Sequence, residues 1–106
     1  MTLPEMKTLL ESVNGFADKV TYYEWPKDEA PALPFVCYFN PSDTAFAADN
    51  TNYYSTPRFA VELYTKNRDL TTEALFEAKF REKHIYFTKE TEYLPDERCW
   101  LAVFSI

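Results

Sequence analysis

Residues 33–65 read LPFVCYFNPSDTAFAADNTNYYSTPRFAVELYT, two strand signals separated by a polar stretch rich in tyrosine and asparagine. Phe59 to Thr65 is the clearest strand, because Phe59, Val61 and Leu63 alternate with Ala60, Glu62 and Tyr64. Phe35 to Phe39 is a second, bounded by Pro34 and by the turn formers Asn40, Pro41, Ser42 and Asp43. Between them Phe46, Ala47 and Ala48 sit on a loop, and Asn50 to Tyr54 is expected to form a further strand. So much sequence given to sheet and edge, with so few convergent acids, bases or ligands, points to a structural part more than to an enzyme.

Toward the N-terminus, Val20 to Trp25 reads as a strand, and Pro26 through Pro34 as an irregular crossing with three prolines. Before it, Pro4 to Val13 is expected to be helical, opened by Thr2 with Glu5 as a capping-box pair. Leu3, Met6, Leu10 and Val13 share one face, broadened by Leu9. Asn14 and Gly15, the only glycine, stop that helix, and Gly15 is suited to the positive φ of a sharp turn.

Toward the C-terminus, Asp69 caps a helix running from Leu70 to about Lys83. Leu70, Ala74, Leu75 and Ala78 are expected to face the sheet, leaving Phe76 and Phe80 on an adjoining stripe that reaches something else. Tyr86 to Tyr93 and Arg98 to Ile106 form a hairpin around Leu94, Pro95, Asp96 and Glu97. In its second strand both parities are apolar, which suits the middle of a sheet or an oligomeric contact. The expected fold is α+β, one domain over residues 1–106, in the order α-β-β-β-β-α-β-β. A mostly antiparallel or mixed sheet carries both helices mainly on one face.

Composition narrows the function. Eleven Lys and Arg against 17 Asp and Glu give a net charge of −6, which opposes binding to a phosphate backbone. Nine Phe and eight Tyr exceed the needs of one small core, so some rings are expected at the surface or between subunits. No apolar run is long enough for a membrane span and no leader pattern opens the chain, so a soluble protein made in the cytoplasm is expected. Cys37 and Cys99 lie in apolar strand runs as buried thiols, without the spacing of a redox pair or a metal site.

No candidate reaction centre stands out. His84, the single histidine, follows Lys83 at a helix end as a surface residue; a pairing with Cys99 is geometrically conceivable but has no supporting motif. Asp43, Asp49 and Asp69 match no calcium loop and suit turns and caps. One glycine cannot build a phosphate loop, so no cofactor is expected. Asn50, Asn52, Tyr53 and Tyr54 suit a strand or loop that pairs with another subunit, or else packing within the chain; stacking on nucleic acid lacks a cationic groove. Phe46 fits as an anchor filling a neighbour's pocket, and Tyr22, Tyr23 and Trp25 offer similar contact area. Glu90, Glu92, Asp96 and Glu97 read as the solvated part of the hairpin or as a docking patch for a basic partner.

Four segments together carry a resemblance: LPFVCYF, FAADNTNYY, FAVELYTKNRDLTTEALFEAKF and YFTKETEYLPDERCWLAVFSI. From Leu33 onward the chain resembles small tail-completion proteins of long-tailed phages and prophages of Gram-positive bacteria, called tail terminator or tail-to-head joining proteins. That resemblance implies a ring, commonly hexameric, that caps the tail tube and meets the head connector at the head–tail junction of the virion. It implies intersubunit or partner contacts by Phe46, Asp49, Asn50, Tyr53, Tyr54, Phe76 and Phe80. DNA is expected to pass through without specific binding, past lumen-facing carboxylates of Glu62, Glu90 and Glu92. A small non-catalytic binding or inhibitor domain, monomeric or dimeric, has the same fold-level signals.

Overall fold

The computed structural model describes residues 2–26, 29–40 and 59–106. Helix α1, Leu3–Glu11, begins with the reciprocal cap expected at Thr2: its N–H donates to Glu5 Oε1 at 2.7 Å, and Glu5 N–H donates to Thr2 Oγ1 at 3.2 Å. These bonds occupy two donors that a helix start otherwise leaves unpaired. The helix buries Met6, Leu9 and Leu10, and the chain then turns through Gly15 at φ +91 to bury Phe16.

Strand β1, Val20–Tyr22, ends where Tyr23 adopts φ 68, a left-handed conformation that breaks the extended run. The strand expected to reach Trp25 is therefore shorter. Strand β2, Phe35–Phe39, pairs parallel to β1. Strand β3, Ala60–Thr65, pairs antiparallel with β2. Helix α2, Leu70–Glu82, follows, and then the hairpin of β4, Thr88–Leu94, and β5, Cys99–Ser105. The five strands form one mixed sheet in the order β1-β2-β3-β5-β4. The doubly apolar β5 thus lies inside the sheet, as its sequence implied. The further strand expected at Asn50 to Tyr54 lies outside the described residues.

Both helices cover one face. Register places Val36, Val61, Leu63, Ala102 and Phe104 on that inner face, all buried with the α1 side chains. Asp69 caps α2, accepting from Thr72 N–H at 3.0 Å, and the helix ends in a Schellman turn. There Ile85 N–H donates to the Phe80 carbonyl at 2.8 Å and His84 N–H to the Arg81 carbonyl at 3.0 Å, with His84 at φ 59.

The inner face of α2 differs from expectation. Phe76 and Phe80 are fully buried, while Leu70 and Leu75 are 62% and 40% exposed. The aromatic pair meets an aromatic sheet surface: Phe76 lies 4.8 Å from Phe16, and Phe80 lies 5.4 Å from Phe104 and 5.5 Å from Phe87, centroid to centroid. Burying each phenyl ring favours this rotation by about 2–3 kcal/mol. One turn earlier the same stripe carries Glu73, only 2% exposed, held by Arg68 at 3.0 Å and Lys89 at 2.9 Å.

Candidate functional site

The strands that bury one parity against the helices present the other on the opposite face. Pairing sets three transverse rows there: Phe35, Tyr64, Leu101, Glu92; then Cys37, Glu62, Val103, Glu90; then Phe39, Ala60, Ser105, Thr88. The carboxylates of Glu62, Glu90 and Glu92 therefore share the face opposite α1 and α2, and no lysine or arginine occupies an outward position in these rows. Glu62 and Glu90 flank Val103 from the two neighbouring strands.

Among the described residues, only part of this face is covered. The crossover between β1 and β2 lies over the β2 end, where Trp25 packs edge-on against Phe35 at 6.1 Å and Tyr23 against Phe39 at 5.7 Å. Trp25, Leu33 and Ala30 from the crossover, with Phe35, Tyr64 and Cys99 from the sheet, line a concavity of about 710 Å³. Glu24 and Glu97 also border it. Trp25 Nε1 is buried without an acceptor.

Chemistry at this face is subdued. Burial pushes the Cys37 thiol up to about 11, helped by the negative charges of Glu62 and Glu24, and burial likewise raises Cys99, with Glu97 adding to it. Both remain neutral thiols near neutral pH, the unreactive form. Tyr64 Oη donates to Glu62 Oε1 at 2.9 Å. Burial and then that bond push the phenol's pKa well above its ordinary value, so Tyr64 stays a donor.

His84 does not join the thiols. Cys99 pairs with Leu94 at the turn end of the hairpin, whereas His84 precedes its open end, where Thr88 pairs with Ser105. Six residues of strand separate those ends, roughly 20 Å at about 3.4 Å each. Among the described residues no cluster of three or more His, Cys, Asp or Glu is placed to hold a metal, and no helix is long and apolar enough to cross a membrane.

Of the contact residues expected from sequence, Phe46, Asp49, Asn50, Tyr53 and Tyr54 lie outside the described residues. Phe76 and Phe80 require correction: both are 0% exposed within one chain, so neither ring is available to a partner. The outward apolar stripe of α2 is instead Leu70, Ala74, Leu75 and Ala78. Phe35 and Tyr64 were missed as surface residues, although reading the second parity of each strand, Phe35 against Val36 and Tyr64 against Leu63, carries that signal. Comparison with protein-family models, with curated proteins and with solved structures finds no match.

Proposed function

We propose that this chain is a structural, non-catalytic protein of a phage tail, which assembles as a ring, capping the tail tube and joining it to the head connector. The observation that carries the reading, beside the resemblance from Leu33 onward, is the gathering of Glu62, Glu90 and Glu92 on the sheet face opposite α1 and α2. In a ring whose sheets face the lumen, these carboxylates repel phosphate and let DNA slide through without adhering.

A closed ring needs two different complementary surfaces on each subunit. The exposed Leu70 and Leu75 of α2 supply apolar area for one of them. The segment from Phe46 to Tyr54 is assigned to the other. A hexamer is the ring size that the resemblance favours, and the site of action is the head–tail junction of the virion.

The test is to mix purified protein with preassembled tail tubes and image the ends. Rings at one end of each tube are expected; bare tubes at saturating protein sink the proposal. Phe46→Ala should weaken capping more than folding, and equal loss of both would return that side chain to the core. The runner-up, a monomeric or dimeric binding or inhibitor domain, is favoured by the concavity beside Trp25. It is distinguished by a protein that stays small at high concentration and ignores tubes.

A further inference from the structure

The concavity beneath the β1–β2 crossover has no part in the ring reading, and its composition is one-sided. Its aromatic and aliphatic surface, built on Trp25, Leu33, Phe35 and Tyr64, is bordered by Glu24 and Glu97 and, among the described residues, by no lysine or arginine. Neither carboxylate makes an ion pair or hydrogen bond among the described residues, and both are exposed. At about 710 Å³ the space falls within the roughly 300–1,000 Å³ typical of binding pockets.

We propose that this groove docks an extended basic segment of another protein, which lays one large apolar side chain on the floor formed by Trp25, Phe35 and Tyr64 and sets lysine or arginine heads against Glu24 and Glu97. Charge complementarity selects this occupant. A second copy of the chain would bring a −6 molecule against Glu24 and Glu97, and like charges facing each other oppose association. Nucleic acid meets the same repulsion. A small polar ligand finds no set of convergent donors and acceptors, because the Tyr64 hydroxyl is already engaged with Glu62.

An anchored basic segment answers both the apolar floor and the acidic border. The apolar side chain gains desolvated contact with aromatic rings, the usual centre of an interaction hot spot. Lysine and arginine stems lie along the apolar surface while their charged heads reach the carboxylates at the border, and a guanidinium also gains from the electron-rich face of Trp25 or Tyr23. The inference does not rest on the ring reading. A monomer carries the same groove.

Fluorescence anisotropy with three labelled 12-residue peptides tests it on the full chain. One alternates lysine and serine around a central phenylalanine, one replaces that phenylalanine by serine, and one replaces the lysines by glutamate. Saturable binding is expected only for the first. Its affinity should fall about tenfold in the Glu24→Gln/Glu97→Gln double variant, at roughly threefold for each border charge, and weaken as salt rises. Ala30→Trp, at an exposed position lining the groove, should block binding while thermal unfolding stays unchanged. Equal binding of the acidic peptide, an unaffected Ala30→Trp protein, or no binding of the first peptide at millimolar concentration overturns the proposal. So does a self-dimer in sedimentation that Ala30→Trp abolishes, which would give the groove to a second copy. Tube capping is scored separately, so either reading can fail while the other stands.

Discussion

On the inner face of the sheet every carboxylate that enters is met by a cation: Glu73 by Arg68 and Lys89, and Glu77 by Lys89 at 2.6 Å. On the outer face Glu62 is met only by the phenol of Tyr64, and Glu90 and Glu92 make no ion pair among the described residues. The two faces belong to the same strands, so composition alone does not separate them; parity does. A buried carboxylate costs several kcal/mol unless it is paired, whereas one in water costs little. The inner face therefore shows what folding required. What the outer face carries is free to serve association.

The largest test of that contrast is truncation of one large apolar side chain on each side. Phe76→Ala should cost about 3–5 kcal/mol in urea unfolding, through lost burial and the cavity left behind. Leu101→Ala, at a partly buried position on the outer face, should cost less. Similar losses would mean that the outer face is as tightly packed as the core.

Thiol reactivity probes the outer face directly. At pH 8 a thiol raised from 9.0 to about 11 supplies roughly 90-fold less thiolate than the unshifted one. Ellman's reagent should accordingly react with Cys37 in the folded protein at least that much more slowly than in urea. A fast phase in the native protein would show the thiol to be open to solvent.

Glutamate substitutions sharpen the comparison next. Glu73→Ala removes the buried partner of Arg68 and one of the two carboxylates on Lys89, which keeps Glu77, and should cost about 2 kcal/mol, while Glu90→Ala should stay within about 0.5 kcal/mol. The smallest effect is alkaline. Lys89 has its pKa raised by the hydrogen bond to Glu77 and then by that to Glu73, against the opposing effect of burial. A cation whose folded pKa exceeds the unfolded value near 10.4 stabilises fully below that value and loses its contribution as pH rises through the folded one. The stability difference between the native protein and Lys89→Met should shrink above about pH 10.5, by no more than about 1 kcal/mol. A constant difference up to pH 11.5 would leave Lys89 without an electrostatic role.

Local signals were legible wherever a residue acts on its immediate neighbours. Thr2 with Glu5, Gly15, Asp69 and the alternation from Phe59 to Thr65 all perform as read, because caps, turns and strand parity are settled within a few residues. The rotation of α2 was not legible. Leu70, Ala74, Leu75 and Ala78 form as good an apolar stripe as Phe76 and Phe80, and the choice depends on Phe16 and Phe104, which arrive from distant sequence, and on cations at Arg68 and Lys89 that make burial of Glu73 tolerable. The shared face of Glu62, Glu90 and Glu92 was hidden for a related reason. It follows from pairing register among β3, β5 and β4, which no single strand encodes.

The order β1-β2-β3-β5-β4 has a consequence for how a ribosome delivers this protein. Strand β4 is synthesised before β5, yet its only described attachment to the sheet runs through β5. A nascent chain halted at the hairpin turn would leave β3 with a vacant edge and β4 with nothing to join, so the second half of the sheet closes in one late event, after translation has passed Ser105.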